Sequence, residues 1–154
     1  MTPLLAPVVA AAIFNPHAKD PQILCAQRAY PDNLRGKWEL PGGKVEPGEE
    51  YTTAIMREIR EELRTEITLH SPILNPGSSD GSWPILNGRV MHVWLATCTT
   101  APTHHDDHLA IRWCSFTEAS HLDWLSPNIP IMKAAFQVLT EAKRTNSLRP
   151  LGNL

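Results

Sequence analysis

The segment spanning residues 43–65 constrains this chain more than any other part of its sequence. Its apolar side chains recur at four-residue spacing, which predicts a helix over Tyr51–Leu63 with one packed face. At roughly 100° per residue, Glu58, Glu61 and Glu62 fall within an arc of about 100° beside that face. The fold must therefore bury one side of this helix while carboxylates crowd the adjacent side.

Two interpretations of these carboxylates compete. A solvated acidic surface is the commoner meaning of a bare ExxEE pattern, although like charges at this spacing repel each other and gain from a positive partner. Clustered carboxylate oxygens are also the ligands that Mg²⁺ and Mn²⁺ prefer. The context favours a metal, because Gly42 and Gly43 let the backbone approach a ligand and Glu49 lies where Arg57 can pair with it.

Length and charge narrow the class of protein. The 154 residues, 42% of them apolar, suit one domain with its own core. The formal net charge of -2 argues against a duplex nucleic-acid partner, because proteins that bind duplexes carry a basic excess.

The same survey argues against export and against a membrane partner. The apolar run Leu4–Phe14 lacks the basic residues that precede a signal-peptide core, so we interpret it as a buried first strand. No other apolar run approaches the roughly 20 residues of a membrane span. The three cysteines are widely spaced and form no CxxC pair. These features predict a soluble cytoplasmic protein with reduced thiols.

Turn signals and periodicity predict the remaining elements. The predicted strands are Leu4–Phe14, Gln22–Arg28, Arg89–Thr99 and Ala110–Ser115, with a turn between the first two and a polar hairpin loop, Thr100–Leu109, between the last two. A long structured loop is predicted over Arg35–Glu50, a surface excursion over Ser71–Gly88, and an amphipathic helix from Asn128 with Pro130 in its first turn. The stretch 145–154 shows no periodicity and is expected to be a disordered tail.

A known family pattern emerges within the carboxylate segment. Gly43, five residues, Glu49, seven residues and the run Arg57–Glu62 resemble the Nudix box, Gx5Ex7REUxEExGU. Only the last two positions depart from it: Arg64 replaces the glycine that ends the helix, and Thr65 replaces an aliphatic residue. An arginine in the left-handed conformation costs about 1 kcal/mol, unless the helix extends slightly instead.

The resemblance implies an α/β fold, the Nudix fold, with a mixed central β-sheet sandwiched between helices as one domain over residues 1–144. It also implies the metal ligands, which are Glu58, Glu61, Glu62 and the carbonyl of Gly42. Glu49 would orient the loop through Arg57, and in some members it serves as ligand or base. The implied cofactor is Mg²⁺, with Mn²⁺ as a substitute.

Beyond the box, Gly36–Glu49 resembles the GKWEFPGGKxExGE of MutT-like nucleoside triphosphate pyrophosphohydrolases. This branch implies a substrate-binding role for Gly43 and Lys44. It implies the same for Arg28, which could equally be an ordinary surface arginine at a strand end. Asn128 lies in a stretch similar to PANEP and would read a base edge, although asparagine also favours helix starts.

A second loop resembles the same branch. Asp107 opens a stretch similar to E-H-x-x-x-R-W, in which the glutamate approaches the metals from a separate loop. Asp107 would be a shorter substitute for that ligand. His104, His105 and His108 share the loop, and we expect a solvated polar loop rather than a transition-metal site.

These resemblances predict an enzyme that hydrolyses nucleoside triphosphates to a monophosphate and pyrophosphate. Oxidised purine nucleotides such as 8-oxo-dGTP are the leading substrates, which would place the protein in nucleotide-pool sanitation and DNA repair. A CTP or dCTP pyrophosphohydrolase is the alternative. Hydrolases of nucleotide sugars, ADP-ribose or dinucleotides are less favoured, as is a non-catalytic nucleotide-binding regulator, because the box carboxylates are retained. The oligomeric state stays open.

Overall fold

Within residues 5–150, which the computed structural model describes, the chain forms eight strands and three α-helices. The strands are β1 (Val8–Ile13), β2 (Ile23–Arg28), β3 (Trp38–Glu39), β4 (Gly42–Lys44), β5 (Ile67–Pro72), β6 (Trp83–Pro84), β7 (Val90–Cys98) and β8 (His108–Cys114). The helices are α1 (Tyr51–Leu63), α2 (Phe116–Ser120) and α3 (Asn128–Arg144), and short 3₁₀ turns lie at Asp32–Leu34 and Leu86–Gly88. In this part of the chain, no helix has the length and apolar character needed to cross a membrane.

The strands form two sheets. A mixed sheet has the order β4-β1-β7-β5, with β6 paired to β7; β1 and β7 are parallel and the other pairs antiparallel. A smaller antiparallel sheet has the order β3-β2-β8. The mixed sheet was predicted, but the hairpin over Thr100–Leu109 was wrong, because β7 and β8 lie in different sheets. The apolar pattern of a strand identifies it as buried but does not choose its partner.

The strand β1 explains why two helices cover opposite faces of the mixed sheet. Val9, Ala11 and Ile13 pack in one core with the apolar face of α1. Ala10 and Ala12 pack in a second core with α3. A strand buried on both faces has a continuous apolar sequence, as here. The predicted sandwich of helices around a mixed sheet is therefore confirmed.

Several predicted boundaries need correction. The first strand begins at Val8, Leu5 is exposed, and Leu4 lies outside the described residues. The predicted loop over Arg35–Glu50 contains β3 and β4, and the surface excursion over Ser71–Gly88 contains the end of β5, β6 and the buried residues Ile73 and Trp83. The strand β5 and the short α2 were not predicted. The two-residue strands β3 and β6 and the five-residue α2 are too short to show periodicity.

Both α1 and α3 begin at the residue where they were predicted to begin, and α1 also ends at its predicted last residue. After α3, residues 145–150 form neither helix nor strand, and Leu148 packs against the core that contains α3. The rest of the predicted tail, 151–154, lies outside the described residues.

Gly42 occupies a position where only glycine fits. It pairs with Ala10 in the mixed sheet, and a Cβ atom there would lie 1.9 Å from the carbonyl oxygen of Val9. Because the obstacle is the backbone of a central strand, we expect Gly42→Ala to lower the free energy of unfolding by about 3 kcal/mol, measured by urea titration. Gly77→Ala is the control, since its nearest neighbour is a side-chain atom at 3.4 Å. Equal stability of the two variants would contradict this packing argument.

Candidate active site

The end of α1 shows how the chain accommodates the two departures from the Nudix box. Arg64 takes the left-handed conformation, with φ 52° and ψ 39°, and its N–H donates to the carbonyl of Arg60. The helix therefore ends where a glycine would end it. Thr65 is buried, and its hydroxyl donates to the carbonyl of Thr100 at 2.9 Å, which satisfies the polar group at this aliphatic position.

Arg64→Gly is expected to stabilise the protein by about 1 kcal/mol, because glycine adopts the left-handed conformation without a Cβ clash. Thermal unfolding measures the gain. Arg64→Ala retains the Cβ atom and should give no such gain, so an equal rise in both variants would contradict the conformational explanation.

Arg57 connects the loop before α1 to the carboxylates on it. Its Nε and Nη2 donate to the two carboxylate oxygens of Glu49 at 2.7 and 2.9 Å, and Nη2 also donates to the carbonyl of Lys44 at 3.1 Å. The bond from Arg57 lowers the pKa of Glu49 to about 2, so this carboxylate stays ionised at neutral pH. The predicted pairing of Glu49 with Arg57 is confirmed.

Glu58 lies against the glycine that opens the box. A Cβ atom on Gly43 would lie 2.3 Å from the Glu58 carboxyl carbon, so glycine at this position makes room for the carboxylate. The Oε1 atom of Glu58 accepts a hydrogen bond from Arg57 Nη1 at 3.0 Å, while burial raises the pKa of Glu58. Glu61 lies further out, with a side chain that is 60% exposed and faces the same Arg57 nitrogen at 3.3 Å.

Glu62 carries the largest electrostatic perturbation in the site. Its Oε2 is fully buried and has no hydrogen-bond partner. Burial, and then the charges of Glu39, Glu58 and Asp107, raise the pKa of Glu62 to about 9. Ionising a buried carboxylate beside three others is unfavourable, because the charges repel and water is excluded. A cation bound there would offset this free-energy cost. The chemistry of this donor set therefore suits a divalent metal.

The predicted metal ligands lie in one region of the structure, but their side chains do not converge on a common position. Among residues 5–150, no three acidic, histidine or cysteine side chains converge closely enough to hold an ion. Glu58 and Glu61 are instead oriented toward Arg57, the nearby cation of their own helix. Asp107, from the loop before β8, accepts from the hydroxyl of Tyr30 at 2.5 Å.

The structure adds Glu39 and His108, neither of which was a predicted site residue. Arg28 Nη1 donates to Glu39 Oε1 at 2.8 Å, and His108 Nε2 lies 3.2 Å from Glu39 Oε2. Arg28 is thus anchored in this group. The predicted solvated loop was wrong for His108, whose side chain is 1% exposed in β8, while His104 is exposed. Glu39 directly precedes Leu40-Pro41-Gly42-Gly43, and that position is the one signal that could have identified it.

A cavity of about 310 Å³ opens beside this group. Its polar lining includes Arg28, Glu39, Lys44 and Asn128. Asn128 is the first residue of α3, but its side chain does not cap the helix. Its buried Oδ1 instead accepts from the N–H of Leu40 at 3.1 Å. With its oxygen engaged in this way, the amide of Asn128 has its NH₂ group left as a hydrogen-bond donor.

Comparison with known proteins places this geometry in a family. The family model of the NUDIX domain matches residues 4–135 of this chain. The CTP pyrophosphohydrolase of Escherichia coli K12 is 34% identical over 137 residues, which cover 88% of this chain and 94% of that protein. The Mycobacterium tuberculosis H37Rv protein named "Putative 8-oxo-dGTP diphosphatase 2" is 36% identical over 104 residues, 67% of this chain and 71% of that one.

A solved structure agrees with the sequence relatives. The solution structure of the E. coli ORF135 protein matches with a TM-score of 0.67 and 33% identity, and the match covers 90% of this chain and 92% of that one. Nudix hydrolases generally require a divalent metal, which agrees with the carboxylates on α1. The box, the fold and these matches together establish that the chain belongs to the Nudix family of hydrolases.

Proposed function

We propose that this Nudix hydrolase is a nucleoside triphosphate pyrophosphohydrolase of the cytoplasm that uses Mg²⁺, with Mn²⁺ as a substitute. In the reaction, one water molecule cleaves the bond between the α and β phosphates and releases a nucleoside monophosphate and pyrophosphate. The single observation that carries the proposal is Glu62, a buried carboxylate with an unpartnered oxygen, whose neighbouring carboxylate Glu39 lines a cavity of ligand size.

The metal would be held by Glu58, Glu61 and Glu62, with Asp107 and the carbonyl of Gly42 as further ligands. A bound divalent cation supplies charge neutralisation on the phosphates and activates water for attack. For Glu58 and Glu61 to serve, their side chains must turn from Arg57, and Arg57 remains held by Glu49 through two hydrogen bonds. The pair Arg57–Glu49 therefore keeps the box loop in place while the neighbouring carboxylates change partners.

The cavity residues support recognition of the nucleotide. Lys44 and Arg28 bring positive charge to the wall of the cavity, which suits phosphate oxygens. Asn128 offers its NH₂ group to a carbonyl oxygen on a base edge. Guanine and its 8-oxo derivative present such an oxygen, so an oxidised purine triphosphate such as 8-oxo-dGTP is our leading substrate. The resemblance to the mycobacterial relative supports the same choice.

CTP or dCTP is the second candidate substrate. The E. coli relative named CTP pyrophosphohydrolase matches this chain over 94% of its own length, more than the mycobacterial relative does. Cytosine also presents acceptors, a carbonyl oxygen and a ring nitrogen, to an NH₂ donor.

A hydrolysis panel tests the proposal. We would assay CTP, dCTP, dGTP, 8-oxo-dGTP, a nucleotide sugar, ADP-ribose and a dinucleotide with Mg²⁺ or Mn²⁺, and identify the products by phosphorus NMR. We expect monophosphate and pyrophosphate from at least one triphosphate. The Glu62→Gln protein, purified identically, controls for contaminating phosphatases. Release of inorganic phosphate and a diphosphate, or turnover of the sugar and dinucleotide substrates alone, would overturn the proposal.

A further inference from the structure

His108 reaches the site because of an irregularity between two strands. β2 and β8 pair in antiparallel register until the step from Gln27 to Arg28, where the register shifts and Arg28 lies opposite His108. A regular ladder would place Leu109 opposite Arg28, and Leu109 is instead an exposed residue. The bulge therefore exchanges an apolar side chain for an imidazole at this point of the sheet.

Glu39 shares the face of the sheet that the bulge creates. It lies opposite Ala26 on β2, two residues from Arg28, so Glu39 and Arg28 project from the same face. His108, directly opposite Arg28, projects from that face as well. Three neighbouring strands thus bring an arginine, a carboxylate and an imidazole together.

The contribution of His108 is its contact with Glu39 rather than apolar packing. Its ring is buried, with Nδ1 left without a hydrogen-bond partner, which costs stability that an apolar ring would not lose. What the ring supplies is Nε2, 3.2 Å from Glu39 Oε2. A carboxylate accepts hydrogen bonds, so Nε2 is the donor whether the imidazole is neutral or protonated.

Glu39 consequently has both oxygens held by donors from the protein. Arg28 donates to Oε1 at 2.8 Å and His108 to Oε2, while the Glu39 side chain remains 15% exposed in the wall of the cavity. Each carboxylate oxygen can accept a further hydrogen bond. The adjacent residue, Leu40, is the one that holds Asn128. The cavity wall therefore presents an acceptor, Glu39, and a donor, the NH₂ group of Asn128, which is held by the residue next to Glu39.

We propose that His108 is a positioning residue for base selection, which holds Glu39 as an acceptor for an amino group of the base. A base that presents a carbonyl oxygen there would place a second hydrogen-bond acceptor against the carboxylate. The repulsion between the two acceptors would weaken binding of that base. This inference rests on the proposed function for the nature of the ligand, but not on turnover.

Equilibrium binding tests the role of His108. The probes are triphosphate analogues with a methylene group between the α and β phosphorus atoms, in the pairs cytidine against uridine and guanosine against inosine. Guanosine and inosine differ only in the 2-amino group, whereas uridine replaces the 4-amino group of cytidine with a carbonyl oxygen and the N3 acceptor with an N–H donor. We expect the wild-type protein to prefer the amino-bearing member of at least one pair, and His108→Phe to reduce that preference about five-fold. His108→Gln retains an N–H donor and should restore part of it.

Matched variants separate positioning from a general effect of losing a buried histidine. His70 is also buried, with Nε2 near the hydroxyl of Thr97 and Nδ1 unpartnered, but it lies on β5 and outside the cavity lining. We expect His70→Phe to keep the wild-type preference. In a Glu39→Gln background, which itself lowers the preference, His108→Phe should cause no further loss.

The outcomes distinguish this inference from the proposed function. The positioning role is overturned if the wild-type protein shows no preference in either pair, if His108→Phe retains it, or if His70→Phe loses it equally. If His108→Phe does not fold, the loss in Glu39→Gln and the partial retention in His108→Gln decide the question. A wild-type protein that shows the preference yet hydrolyses no triphosphate would contradict the proposed function while leaving the role of His108 intact.

Discussion

Glu62→Gln is expected to lower triphosphate hydrolysis on the order of a thousand-fold and, at the same time, to stabilise the metal-free protein. The activity falls because the charge that would hold the cation is removed. The stability rises because the variant no longer buries an ionisable carboxylate, and because it removes the repulsion from Glu39, Glu58 and Asp107. Opposite changes in activity and stability are characteristic of a residue kept for function.

The stability change has a definite pH dependence. Because the folded-state pKa of Glu62 is raised from 4.5 to about 9, its favourable contribution is complete below pH 4.5 and is lost as the pH rises toward 9. In EDTA at pH 8, we expect the variant to be more stable than the wild-type protein by about 1 to 3 kcal/mol, with a smaller difference at pH 5. Urea unfolding at a series of pH values measures both.

Addition of metal should reverse the order of stability. Mg²⁺ or Mn²⁺ is expected to raise the unfolding temperature of the wild-type protein and to leave that of Glu62→Gln almost unchanged. Glu141→Gln is a matched control, because Glu141 is an exposed carboxylate of α3 paired with Arg144. It should keep full activity and gain no stability at pH 8. Normal turnover by Glu62→Gln, or lower stability in EDTA, would contradict the proposed metal site.

Replacement of Asn128 should separate its structural contact from its role toward the base. Asn128→Asp keeps an oxygen for the N–H of Leu40 but exchanges the NH₂ donor for an acceptor. We expect kcat/KM for the preferred triphosphate to fall about 100-fold, with a smaller fall for other bases, so that the order of preference changes. The triphosphate panel measures this change.

Asn128→Ala is the companion variant. It removes the acceptor as well and leaves the Leu40 N–H buried without a partner, which should lower stability by about 1 to 3 kcal/mol in urea unfolding. A uniform loss of kcat/KM across all triphosphates in both variants would limit Asn128 to a structural role. A change of base preference in Asn128→Asp at nearly normal stability would support its role in recognition.

The local properties of the chain were accessible from its sequence because they depend on spacing along one element. The helix Tyr51–Leu63 was predicted with both of its limits, since its apolar period and the adjacent carboxylates lie within one continuous stretch. The pairing of Glu49 with Arg57 was predicted for the same reason, because the box places them eight residues apart.

The complete candidate site, including Glu39 and His108, depends on contacts between distant parts of the chain. Glu39 and His108 are 69 residues apart, and a bulge that no sequence pattern announces brings them into contact. The second sheet was missed because strand partners are selected by tertiary packing rather than by local apolar pattern.

The sequence by itself therefore determined the family, the carboxylate helix and the loop that braces it, since these are properties of residues close in the chain. Only the tertiary structure decided that Glu62 is buried beside other carboxylates, that Arg28 and His108 hold Glu39, and that Asn128 has its oxygen engaged. Burial and long-range hydrogen bonds set these properties, and both arise when the two sheets and α1 come together.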